Sequence, residues 1–316
     1  MIGTVILHSV SYSGFWGQAF LTLEQFIDKA AELGFEGVML MAKRPHLSLL
    51  DYGPGERARL RDQLDRKGLQ AACIAGYTNF TADLEHADIP HREMQIHHVV
   101  ELARLARDLG GNVVRVFTGY ESPATSYNAQ WSLLVETLRE CAGRSAEYEV
   151  TIGVQNHHDI AAGHESLYDL IQAVGEPNCR AIFDAWAPAL HGDDLVLAAS
   201  KMGGVTMHTT LANYQMRARY HYDPAVVNYT PRTPIAQAVP IEDGFIDNHA
   251  FLAALCASGF RGSVAYEMCS PLLDGGSLKT LDSYARRALE FLQRFREEME
   301  PALAGVAAET LSGLPS

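Results

Sequence analysis

The chain has no long uninterrupted apolar run, no basic excess and no closely paired cysteines, and each lack removes a class of protein. Its longest apolar stretches are strand-length and broken by charges, well short of the roughly 20 residues a helix needs to cross a bilayer; no membrane contact is expected. A net charge of −13 works against nucleic-acid binding, which needs a basic face to displace counterions. Five cysteines (Cys73, Cys141, Cys179, Cys256, Cys269) stand singly, without any CxxC, which argues against a disulfide framework or a zinc ribbon. No GxGxxG follows the first apolar run, so a dinucleotide-binding fold gains no support. The apolar start Met1–Leu7 lacks the basic segment and small-residue cleavage site of a secretory leader, and a cytoplasmic protein is expected.

What is present is a full complement of core formers. Of 316 residues, 47% are hydrophobic and 20% charged, a composition that excludes a disordered chain. One pattern recurs: a short apolar, β-branched run, a polar loop, then an amphipathic stretch. Candidate strands are Thr4–Leu7, Gly37–Met41, Leu69–Ile74, Val113–Phe117, Thr151–Gln155, Cys179–Asp184, Val205–His208 and Ser263–Glu267. Most are continuously apolar, as parallel strands buried on both faces must be. Helical stretches such as Leu23–Leu33 and His91–Leu109 separate them, and Gly34, Gly68, Gly110 and Gly259 sit where helices end. Eight strands alternating with helices predict an α/β fold, a closed (β/α)8 TIM barrel, as a single domain over residues 1–298. Two regions depart from the pattern. Residues 214–247, rich in Tyr, Arg and Pro, predict a long loop over the catalytic face. Residues 299–316 predict a C-terminal tail, weakly helical at first and frayed at "LSGLPS".

Active sites of such barrels sit at the C-terminal ends of the strands, so the polar residues there carry the question. Strand five ends "IGVQNHHD" with Gln155 and His157, strand six "AIFDAW" with Asp184, strand seven "VTMHTT" with His208, strand eight "VAYEMCS" with Glu267. Singly, an Asp after a strand is a helix cap and a His a hydrogen-bonded core residue. Four at consecutive strand ends form a mixed oxygen and nitrogen set suited to one divalent cation: manganese first, with magnesium, cobalt or zinc as alternatives.

From "ELGFEGVML" through "VPIEDGFIDNHAFLAAL" to "GSVAYEM", nearly the whole chain resembles the sugar phosphate isomerase/epimerase superfamily of xylose isomerase-like barrels. That resemblance implies Glu, Asp, His and Glu as metal ligands on strands five to eight, and Asp184, His208 and Glu267 match three of them. The fourth position holds Gln155. An amide coordinates metal through oxygen but accepts no proton, so the superfamily's pair of opposed carboxylate bases is broken here. Glu267 keeps its base role, and His157 is the candidate to replace the other, since imidazole titrates near neutral pH.

Both expected reactions begin with loss of a proton next to a sugar carbonyl, with the metal as Lewis acid. Losing the symmetric pair favours β-elimination. The rim segments "MAKRPHLSLLDY" and "GVQNHHD" are also similar to the barrel subunit of C-glycoside deglycosidases, which implies a 3-keto-glycoside lyase with a small partner subunit, or a homo-oligomer. Isomerase or epimerase action on a sugar or sugar phosphate is the alternative. An endonuclease IV-type nuclease would need more metal ligands and a basic face, and a non-catalytic barrel would bind no metal. Substrate-binding candidates are His46 in "AKRPHLS", beside Lys43 and Arg44, then Arg115 within strand four, Trp186 and Tyr214; Tyr77, Phe117, Tyr220, Tyr222 and Tyr229 could add aromatic walls.

Overall fold

The computed structural model describes residues 2–84 and 88–312. Its barrel is built from β1 (Val5–His8), α1 (Leu23–Leu33), β2 (Gly37–Met41), α2 (Pro54–Lys67), β3 (Gln70–Ala75), α3 (His91–Asp108), β4 (Val113–Val116), α4 (Tyr127–Ser145), β5 (Thr151–Gln155), α5 (His164–Val174), β6 (Cys179–Ile182), α6 (Trp186–His191), α7 (Leu195–Met202) and β7 (Thr206–Leu211). After β7 come β8 (Asn213–Asp223), β9 (Asn228–Val239), α8 (Asn248–Ala257), β10 (Ser263–Tyr266) and α9 (Leu278–Ser312). β1 to β7 and β10 close an eight-stranded parallel barrel in the order β1-β10-β7-β6-β5-β4-β3-β2, the expected TIM barrel.

Two apolar layers hold it. Inside the barrel, Ile6, Met39, Cys73, Ala75, Val113, Ile182 and Ala265 form a small core. A larger one fills the space between strands and helices. α1 shows why the second forms: Phe26, Ile27, Ala30 and Leu33 recur at helical spacing and all are buried. Its ends are fixed locally, by a Thr22–Gln25 capping box and by Gly34 at φ 92°, a left-handed position that glycine takes without strain. Truncating fully buried Phe26 to Ala would cost about 3–5 kcal/mol.

Most strand limits differ from the sequence reading by a residue or two, and β3, β4, β6 and β10 are among them. β7 does not stop at His208 but runs on through Thr209, Thr210 and Leu211, because β-branched threonines suit a strand. β1 extends one residue to His8. Most of segment 214–247 is not a loop: β8 and β9 pair as an antiparallel hairpin from Asn213↔Val239 to Asp223↔Asn228, and only 240–247 connects it to α8. Its turn is closed by Asp223, whose side chain accepts from the Ala225 N–H at 2.9 Å. Pro231 and Pro234 fit because a two-stranded ribbon is edge on both sides. Beyond residue 298 the chain continues as part of α9 to Ser312; the end of the expected tail, 313–316, lies outside the described residues. No helix of the described residues is long and apolar enough to cross a membrane.

Candidate active site

Every barrel strand sends one polar or charged residue into a single cavity of about 630 Å³ at the C-terminal end of the barrel. They are His8, Lys43, Tyr77, Arg115, Gln155, Asp184, Thr210 and Glu267.

Asp184 is fixed first by the backbone. Its Oδ1 accepts the Thr210 N–H at 2.6 Å, and its Oδ2 accepts from the Gln155 amide. Asn156 locks the same corner, accepting from the Asp184 N–H at 2.7 Å and donating to its carbonyl at 2.9 Å. Burial, with the charge of Glu267 added, pushes the Asp184 carboxyl up to about 7. Burial also raises Glu267, against the pull of Arg115. Glu267 receives a weak hydrogen bond from Cys269 Sγ at 3.4 Å and stands 3.6 Å from His8 Nε2. Burial and the nearby Arg115 hold His8 well below the usual imidazole range, so the ring is neutral. Its Nδ1 accepts the Val10 N–H at 3.2 Å. The ring proton therefore sits on Nε2, the atom turned to Glu267.

Cations and aromatic rings make the opposite side. The Arg115 guanidinium lies 4.0 Å from the Phe117 ring centre and 4.7 Å from that of Tyr77, and Lys43 Nζ lies 3.8 Å from the Tyr77 ring. The His157 ring packs at a tilt, its centre 4.2 Å from that of Phe117 and 4.0 Å from that of His158. Burial, then His158 and Arg115, lower it to about 3. Trp186 packs 3.9 Å from Tyr214, whose hydroxyl meets Cys269 Sγ at 2.8 Å.

Of the residues singled out in the sequence, Gln155, His157, Asp184, Glu267, Arg115, Trp186 and Tyr214 line this one cavity. Two do not. His208 is mid-strand rather than at a strand end, 1% exposed and outside the cavity lining; Thr210 occupies the level expected for it. His46 faces the α1 side, its Nε2 on the Leu21 carbonyl at 3.0 Å and its ring stacked between Phe20 and Phe26. Tyr220, Tyr222 and Tyr229 are exposed on the hairpin, so of that group only Tyr214 reaches the cavity. His8, Thr210 and Cys269 were missed, although a His closing the first apolar run was a signal of the same kind as those that were read.

Among the described residues, no three His, Cys, Asp or Glu side chains form a ready-made metal cluster. The donor chemistry still fits a hard divalent cation. Burial raises both carboxylates, the charge of Glu267 adds to the cost of charging Asp184, and Gln155 adds an amide oxygen. The buried Nε2 of His208 has no partner, while Nδ1 is held by Ser263 Oγ at 2.8 Å. One nitrogen anchored and the other open is how ligand histidines are oriented.

Comparison with known proteins agrees with this architecture. Fructoselysine 3-epimerase of Escherichia coli O157:H7 is 22% identical over 295 residues, 89% of this chain and 94% of its own. The structure of an L-ribulose 3-epimerase superposes with a TM-score of 0.72 at 18% identity, covering 100% of both chains. D-psicose 3-epimerase from Clostridium cellulolyticum H10 gives 0.71 at 17% identity, over 93% of this chain and 99% of that one. At these identities the structural likenesses show the fold alone. A family profile matches residues 27–295, which is most of the chain, and the chain belongs to the xylose isomerase-like TIM barrel family.

Proposed function

We propose that the protein is a sugar isomerase or epimerase that moves a proton on the carbon beside a keto-sugar carbonyl. The epimerase names of its relatives support interconversion over the β-elimination expected from the rim segments. The observation that carries the reading is Glu267, a carboxylate at a strand end inside the cavity whose proton affinity burial has raised. That makes it a stronger base than an exposed carboxylate once ionised. Glu267 takes the proton as the C–H bond breaks, and the electron pair moves into an enediolate. Cys269 Sγ holds the carboxylate meanwhile, and His8 Nε2–H stands 3.6 Å from it. A divalent cation, manganese first, would be held by oxygens of Gln155, Asp184 and Glu267 with His208 Nε2, and would supply a Lewis acid for the carbonyl oxygen.

Inversion at one carbon needs a second proton carrier on the other face. Gln155 cannot fill that role, and His157, lowered to about 3, fills it poorly because so weak a base holds little proton at neutral pH. Transfer between neighbouring carbons on one face needs no carbon base but Glu267, while the hydroxyl proton passes between the two adjacent enediolate oxygens. Isomerisation is therefore the outcome these side chains favour, with His157 as a neutral wall against the substrate.

The test is proton NMR of ketoses incubated with enzyme and Mn²⁺ in deuterated water. Deuterium should appear beside the carbonyl together with the isomeric sugar, and Glu267→Gln should slow both by about 10² or more. Aglycone release from a 3-keto-C-glycoside without such exchange would instead establish the lyase.

A further inference from the structure

Charge in the cavity is sorted by wall. The carboxylates follow β6 and β10, with β7 between them; the cations belong to β2 and β4, with β3 between them. Several arginines elsewhere are paired, as Arg44 is with Asp51, Arg57 with Asp108 and Arg287 with Asp243. Among the described residues, neither Lys43 nor Arg115 makes an ion pair. Arg115 is 2% exposed, lines the cavity, and its Nε has no partner. A buried, unpaired guanidinium is costly, and a second cation one ring away adds to the cost: burial and Arg115 together lower the Lys43 ammonium.

The fold nevertheless makes room for this charge. The strand neighbours in register with Arg115 are Ala75 on one side and Gly153 on the other. The Tyr77 and Phe117 rings then flank the guanidinium, their centres 4.7 and 4.0 Å from its carbon. With its Nε unpartnered and the cavity beside it, this planar fork is the group that receives two oxygens of one anion.

We infer that the wall between β2 and β4 is an anion subsite, in which Arg115 anchors and Lys43 caps a carboxylate or phosphate carried by the substrate. The inference rests on the sugar-isomerase reading and narrows it: the substrate is an acidic sugar, not a neutral one. Its anionic end lies on the cationic wall, and its carbonyl end lies toward Asp184 and Glu267.

Calorimetric titration of the intact protein with D-glucose, D-gluconate, D-glucose 6-phosphate and inorganic phosphate, at constant ionic strength, tests it without turnover. At least one anionic sugar should bind about tenfold or more tighter than glucose, the scale of hydrogen bonds to a charged group. Arg115→Gln should abolish that preference, Arg115→Lys should keep part of it, and Lys43→Met should reduce it several-fold. Gluconate against the 6-phosphate tells which anion the fork prefers. Equal binding of neutral and anionic sugars, or no binding by any anion, overturns the subsite, as does a preference that survives in Arg115→Gln. Should Arg115→Gln fail to fold, Lys43→Met decides, since Lys43 stands beyond the end of β2 and outside the packed strands; an unchanged preference there overturns the proposal. Isomerisation of neutral ketoses with no anion preference would sink the subsite alone. Anion binding without deuterium exchange would sink the isomerase reading and leave the subsite standing.

Discussion

Asp184 and Gln155 share a hydrogen bond, yet only one of them answers to pH. An unfolded Asp184 ionises near 3.8, and the folded one near about 7. Between those values the folded protein holds a proton that the unfolded chain has lost. Stability from this group is therefore full below the lower value, falls as pH rises through the window, and is level above it. A shift of about three units amounts to about 4 kcal/mol. Asp184→Asn keeps an oxygen for the Thr210 N–H and cannot ionise. In EDTA-treated protein the variant should gain melting temperature over wild type from pH 4 to 7, then hold a constant lead. The histidines that titrate in this window are common to both proteins and cancel in the difference. A lead independent of pH would remove burial of the charge as the cause. At this scale the sequence was partly legible. Acidic residues just after strands have little choice but to face the cavity. A histidine beside a Pro or within a Thr run is harder to place: His46 turned to the α1 side, and His208 sits one strand repeat below the lining residue Thr210.

Elements were easier to read than their ends. All eight barrel strands were recognisable, because strands buried on both faces must be continuous apolar runs. The limits slipped where a strand ends in polar residues: β7 continues through two threonines that pattern alone assigns to a loop. The hairpin was illegible for the opposite reason. β8 and β9 are exposed on both faces from Met216 to Thr233, so no core periodicity marks them, and two prolines disguise β9. Since these strands pack chiefly on each other, replacing residues 217–235 by an Asn-Gly turn should change the melting temperature by no more than about 3 °C, with Tyr214 still in the cavity. A loss of 10 °C or more in thermal unfolding would mean that the arm is packed against a second molecule.

For the whole molecule, the barrel brings together groups that repel one another in the absence of a counter-charge. Any ligand that binds only the folded state adds stability by mass action, about 2.7 kcal/mol at a hundred times its dissociation constant. Mn²⁺ added to EDTA-stripped protein should therefore raise the melting temperature by about 5 °C or more, and Asp184→Asn or Glu267→Gln should lose most of that rise. No shift with any divalent cation would refute the proposed ligand set. The acidic net charge and the barrel class were visible in composition and pattern. The division of charge inside the cavity was not, because it depends on which strands become neighbours when the sheet closes. That division has a consequence for regiochemistry. A ketose offers carbon–hydrogen bonds on both flanks of its carbonyl, and a uniformly lined cavity would have little reason to prefer one. With a cationic wall across from the carboxylate of Glu267, the distance from an acidic terminus to the reacting carbon becomes a ruler, and chain length decides which flank is deprotonated.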